Sequence, residues 1–171
     1  SGKGRTVIDP AKEVLEWGGI TRFTWNRGHW SLQQGRIHAH TASDADAWTG
    51  NAYLRDVSVN ADLRPLSGAS HLVVARAQGT SRFYAGGFQN GEAVILAENH
   101  GTTILARAPF KAEYGRDYHV NLTVTGDRLA LSIDGSLVLE AEDQTFGYGM
   151  AGLRMASAGR MSIGRLEIGE L

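Results

Sequence analysis

Two guanidinium groups, an amide and a phenol fall close together in Arg76-Ala-Gln78 and Arg82-Phe-Tyr84, which flank the short link Gly79-Thr-Ser81. Arg76 shares the parity of Leu72 and Val74 in an otherwise apolar run, so a charge is carried toward one end of a buried row. As a binding set, Arg76, Gln78, Arg82 and Tyr84 on neighbouring strands would offer forked donors and an aromatic edge to a hydroxyl-rich or anionic ligand, with Arg82 and Tyr84 on one face. Alternatively, Arg76 closes the end of the core by pairing with Asp56 or Asp143, because an unpaired buried charge is costly. Gly86 and Gly87, on the next strand, are expected to mark a bulge in a twisted sheet.

Further candidates lie on either side. Trp48, in the polar stretch Asp44-Ala-Asp-Ala-Trp-Thr-Gly50, is the tryptophan expected to be exposed, either as a stacking platform or as a lid over the core edge. Asn99 and His100, in the turn Asn99-His100-Gly101, join the ligand-binding set. Trp17, Trp25 and Trp30 are assigned to packing. His38 and His40 share a strand face ahead of Asp44 and Asp46, yet no tetrahedral ligand set emerges. Calcium at Asp44, Asp46 or Asp143 is the one ion whose hard oxygen ligands are on offer, and no cofactor is expected. Glu140-Ala-Glu142 places two acids on one strand face, the nearest approach to a glycosidase pair, but the full Glu-x-Asp-x-Glu pattern is absent and a solvated strand face is the better account. There is no Gly-x-Ser-x-Gly elbow and no glycine-rich phosphate loop leading into a helix. The sequon Asn121-Leu-Thr123 falls in mid-strand.

The elements that must hold these groups are strands. From Tyr53 onward the chain alternates apolar and polar residues, with Val57, Val59, Ala61 and Leu63 on one side and Asp56, Ser58, Asn60 and Asp62 on the other. Turn dipeptides at Asn90-Gly91, Gly126-Asp127 and Asp134-Gly135 separate further strands, and Gly164 shifts the apolar parity of the last one, as a bulge would. Nearer the start, Trp30 to Leu32 and Arg36 to His40 frame a hairpin, and Pro10 to Trp17 is expected to be a helical turn or loose lead-in. The 22 glycines against 3 prolines fit many short strands joined by tight turns.

With 171 residues, 42% hydrophobic and 20% charged, and a formal net charge of -1, the chain fits one folded domain over residues 1–171, with 1–28 an irregular lead-in or edge strand. Interspersed charges argue against a nucleic-acid partner, and the lack of a long apolar run argues against a membrane partner. There is no cysteine, hence no disulfide framework. The opening Ser1-Gly2-Lys3-Gly4 does not read as a signal peptide, and native flanking sequence is expected. The expected fold class is all-β: a two-sheet antiparallel β-sandwich.

The order Trp30…Gly35-Arg-Ile37, Tyr53-Leu-Arg-Asp-Val57, Val73-Val-Ala-Arg-Ala-Gln-Gly79, Arg82-Phe-Tyr84, then Tyr118 to Gly135 and Gly147-Tyr-Gly-Met-Ala-Gly-Leu153, resembles a concanavalin-A-like or laminin-G-like jelly roll. Within that group the Arg-Ala-Gln-Gly…Arg-Phe-Tyr stretch is similar to fructan-type carbohydrate-binding modules and to the appended domains of bacterial ADP-ribosylglycohydrolase-like proteins. The resemblance implies a non-catalytic, lectin-like module that partners a carbohydrate or other hydroxyl-rich ligand and is covalently linked to an enzyme domain. A protein-interaction or oligomerisation domain using the polar sheet face, and a glycoside hydrolase using Glu140 and Glu142, stand as alternatives.

Overall fold

The computed structural model describes residues 4–12, 15–16, 19–20 and 24–171, and no described residue is helical. Strands are numbered in chain order. One antiparallel sheet runs β15 (Ser136–Glu142), β14 (Arg128–Ile133), β13 (Tyr118–Thr125), β8 (Val57–Gly68), β17 (Gly159–Glu170), β6 (Arg36–Thr41) and β5 (His29–Gln33), and β1 (Arg5–Ile8) also pairs with β17. The other runs β12 (Thr102–Pro109), β11 (Glu92–Asn99), β10 (Arg82–Gln89), β9 (Ser70–Gly79), β16 (Met150–Met155), β7 (Ala45–Thr49) and β4 (Thr24–Arg27). Two-residue strands β2 (Leu15–Glu16) and β3 (Gly19–Ile20) pair with each other.

The sandwich forms because period-two sequences bury one side of each strand. In β8 the alternation is strict from Val57 to Pro65, and in β13 Tyr118, Val120, Leu122 and Val124 point inward against it. Asn90-Gly91 and Asp134-Gly135 turn the hairpins with positive φ at both residues, 54° and 76°, then 51° and 82°, the geometry that matches strand twist. The register of β17 shifts between Ile163 and Leu166, so Gly164 does sit at a bulge. The hairpin Gln33 to Arg36 also forms as expected.

Arg5–Ile8 is an edge strand on β17, and residues 9–12 make a turn closed by the Lys12 amide on the Asp9 carbonyl at 2.9 Å. The far end of the expected lead-in, at Trp17, lies outside the described residues.

Two apolar clusters result. The main core fills the space between the sheets and includes Tyr84, Tyr118, Phe88 and Phe146, each side chain of this size contributing roughly 1.5–3 kcal/mol by burial. A second cluster, Trp48, Leu72, Val74, Ala77, Phe83, Ala85, Val94 and Leu96, lies on the other side of the second sheet and is also buried.

Glycines set the spacing where strands crowd. Gly86 and Gly87 are in register with Val73 and Leu72, so no bulge occurs there. Gly86 instead leaves room for Leu122 and Leu131, and Gly87 for the His71 carbonyl. Gly152 lies beneath Trp48: a Cβ there would come within 2.8 Å of the indole Cε3 and collide with the Ala47 carbonyl. Gly152→Ala is therefore expected to lose about 1–3 kcal/mol of stability in urea melts, whereas Gly147→Ala, which meets open space, changes it by less than about 0.5 kcal/mol.

Candidate functional site

At one end of the sandwich the β9–β10 turn, the 143–149 segment and the 50–56 segment come together. The residue that organises them is Arg76. It adopts φ of 50°, and the registers of β9 with both β10 and β16 slip at this position. The expected parity with Leu72 and Val74 is therefore broken. Ala77 takes up the outer apolar face, and Arg76 turns into the end of the core with 3% of its surface exposed.

Its guanidinium donates from Nε to the Arg55 carbonyl at 2.8 Å and from Nη1 to the carbonyls of Gly126 and Phe146 at 2.7 and 2.9 Å. Nη2 meets Asp56 Oδ1 at 3.2 Å, and the same oxygen accepts the Gly126 amide at 2.8 Å. Burial pulls the Arg76 pKa below its ordinary value, and Asp56 partly restores it. Arg76 thus closes the core with Asp56, and Asp143 has a different partner.

That partner is Tyr84. The buried phenol donates to Asp143 Oδ2 at 2.7 Å and accepts the Phe146 amide at 3.2 Å. Burial pushes the Tyr84 pKa up to about 12, with the hydrogen bond to Asp143 adding to the rise. Burial also raises Asp143, but the hydrogen bonds from Thr145 and Tyr84 outweigh it and leave the carboxyl below its usual range. Phe146 is shared: its ring packs edge-on to Tyr84 at 5.1 Å, and the Arg82 guanidinium lies over it at 5.4 Å. Arg82 and Tyr84 meet one ring, as their common face requires.

Above this support opens a cavity of about 510 Å³ lined by Trp48, Ala52, Tyr53, Ala77, Gln78, Gly79, Arg82, Tyr148 and Met150. Of the sequence candidates, Trp48, Gln78 and Arg82 line it. Arg76 and Tyr84 lie beneath as support. Asn99 and His100 are not among its lining: Asn99 is opposite Arg82 on the next strand, and the His100 amide donates to the Ser81 carbonyl at 2.8 Å. Arg82 Nη2 donates to Gln78 Oε1 at 3.2 Å, and Gln78 Nε2 donates to the Tyr148 carbonyl at 3.0 Å, which ties the β9–β10 turn to the 147–149 loop.

Trp48 departs from expectation. Its stretch is strand β7, buried throughout, and the ring is only 7% exposed, packed against Phe83 at 5.9 Å. Both faces of β7 are covered, and Trp48 falls on the side that carries the second apolar cluster. The exposed rings that line this cavity are two tyrosines not singled out from sequence: Tyr53 at 78% and Tyr148 at 42% exposure, their centroids 6.3 Å apart. Tyr53 read as the start of a strand, but β8 begins at Val57 and Tyr53 sits in a turn whose amide bonds Asn51 Oδ1 at 2.7 Å. The flanking glycines of Gly147-Tyr148-Gly149 were the available signal.

The remaining candidates lie elsewhere. Asp46 is buried between Arg27 and Arg154, each at 2.6 Å, and Asp44 meets the same two arginines. His40 stacks on His29 at 4.7 Å, and among the described residues no three His, Cys, Asp or Glu side chains gather as metal ligands. Glu140 and Glu142 are exposed on β15, the sheet edge, with Glu140 facing Arg128 at 4.0 Å. Asn121 is in mid-strand, its amide on Ser58 and Asn60. A larger cavity of about 790 Å³ opens at the opposite end, with walls that include Phe88, Phe110 and Tyr114, and holds none of the candidate residues.

Two measurements probe the support. Arg76→Leu strands three backbone carbonyls and is expected to cost about 2–4 kcal/mol in chemical denaturation. Because the folded-state pKa of Tyr84 exceeds its ordinary value of 10, its contribution to stability is whole below pH 10 and lost as pH rises toward about 12. Tyr84→Phe should flatten that alkaline fall in stability.

No family model and no curated protein matches the chain. Solved structures do. The carbohydrate-binding module CBM66 from Bacillus subtilis is 18% identical with a TM-score of 0.76, over 85% of this chain and 95% of that one. The exoplasmic/lumenal domain of VIP36, in a Ca2+- and mannose-bound form, is 13% identical with a TM-score of 0.70, over 96% and 89%. The transglycosylase Crh5 is 11% identical with a TM-score of 0.66, over 97% and 84%. At these identities the likeness is one of fold, and the fold is the concanavalin-A-like jelly roll.

Proposed function

We propose that the chain is a non-catalytic, lectin-like module that binds carbohydrate in the Trp48–Tyr148 cavity and serves as an accessory domain of a larger glycan- or ADP-ribosyl-processing enzyme. The observation that carries this reading is the pairing of two exposed tyrosines with the fixed Arg82–Gln78 dyad around one cavity. Sugars present a C–H face that packs on aromatic rings and a rim of hydroxyls that needs directional polar partners. Tyr53 and Tyr148 supply the first, and Arg82 and Gln78 the second. The volume lies within the range of small-ligand sites, and the mostly apolar wall with few convergent polar groups matches their make-up.

The neighbours support this choice without deciding it. One is titled a carbohydrate-binding module and another carries bound mannose, but a transglycosylase has the same fold. The pair Glu140 and Glu142 is far less suited to hydrolysis. Both side chains are exposed on an edge strand, where water is not excluded.

A glycan array followed by calorimetry, with fructans and ADP-ribose included, tests the site. Tyr53→Ala and Tyr148→Ala, whose rings are exposed, should leave stability within about 0.5 kcal/mol yet weaken binding at least about tenfold, or ~1.4 kcal/mol. Glu140→Gln with Glu142→Gln should leave binding unchanged. Saturable binding indifferent to both tyrosines would place the ligand elsewhere, and product release lost in the glutamine variants would make the chain an enzyme.

A further inference from the structure

Resting on the carbohydrate reading of the same cavity, we propose that its ligand is an acidic sugar, a glycan residue bearing a carboxylate, and that Arg82 is the group that recognises the charge. Arg82 is the one charged side chain among the described residues that line the cavity, so the site has a cation and no carboxylate to balance it.

The contrast with the other arginines is informative. Arg27, Arg36, Arg64, Arg76, Arg116 and Arg154 each meet an aspartate within 4 Å, Arg5, Arg107, Arg128 and Arg165 each meet a glutamate, and Arg55 and Arg160, which meet no carboxylate among the described residues, are exposed to water. Half-buried Arg82 meets none among the described residues. The two nearby acids are engaged elsewhere, Asp56 by Arg76 and the Gly126 amide, Asp143 by Tyr84 and the Thr145 amide.

Arg82 is nevertheless held in place. One Nη2 hydrogen goes to Gln78 Oε1, Gln78 is itself tied to the Tyr148 carbonyl, and the Phe146 ring lies under the guanidinium. A planar fork fixed at one corner, with its remaining N–H groups free of acceptors among the described residues, suits a planar carboxylate that takes two parallel hydrogen bonds. The flanking tyrosines would cover the sugar ring and lower the local dielectric, which strengthens that pair.

The experiment is calorimetry on the wild-type chain with matched sugars: methyl glucuronide against methyl glucoside, methyl galacturonide against methyl galactoside, and N-acetylneuraminic acid against its methyl ester. At least one acid should bind about tenfold or more tightly than its neutral counterpart, with affinity falling as sodium chloride rises. Arg82→Gln, confirmed folded by its thermal transition, should abolish the preference, and Arg82→Lys should retain part of it.

Equal or tighter binding of the neutral partners would overturn the carboxylate assignment while leaving the carbohydrate reading standing. A preference that survives in folded Arg82→Gln would overturn the role of Arg82. Absence of binding by every sugar in the pairs and by the neutral glycan array would remove the carbohydrate reading, and the proposal with it.

Discussion

The end of the sandwich that carries the cavity depends on one buried guanidinium. Arg76 reaches three separate stretches of chain at once: the Arg55 carbonyl and the adjacent Asp56 carboxylate, the Gly126 carbonyl and the Phe146 carbonyl. A non-glycine residue with positive φ costs about 1 kcal/mol or more, and it persists here because these hydrogen bonds over-determine it. The bulge has a second effect. By adding a residue to β9 it returns Ala77 to the outer face and brings Gln78 to the cavity rim, where it can orient Arg82.

The loops above the guanidinium inherit their order from it. Phe146 is fixed through its carbonyl by Arg76, through its amide by Tyr84 and through its ring by Tyr84 and Arg82. Gly149 then passes so close to the Arg76–Ala77 peptide that no side chain would fit, and its amide donates to the Leu54 carbonyl at 2.9 Å. Tyr53 and Tyr148 stand on either side of that link. Two exposed rings on irregular segments thus gain defined positions from a contact beneath them, as a preorganised binding surface requires.

The opposite end shows how much the loops decide. Its cavity is larger and its walls are mostly apolar, yet both ends belong to one pair of sheets with the same alternation. The charged clusters on the sheet faces are likewise satisfied internally, as with Asp46 between two arginines or Asp117 between Arg36 and Arg64. Against that background half-buried Arg82, over the Phe146 ring, meets no carboxylate among the described residues.

The sequence by itself determined the strands, their faces and the all-β class, because period-two alternation and turn dipeptides such as Asn90-Gly91 and Asp134-Gly135 are local signals whose effect does not wait on distant contacts. It also marked Gln78, Arg82 and Trp48, which do share a cavity, and the Arg76–Asp56 pair as one of two options. Tertiary structure alone decided that Arg76 leaves the parity of its strand, that Gly86 and Gly87 stay in register, that Trp48 is covered, and that Tyr53 and Tyr148 are the exposed rings of that cavity. Each of these rests on segments remote in the chain meeting at one end of the sandwich, and a pattern read along the chain carries no information about which remote backbone will lie against it.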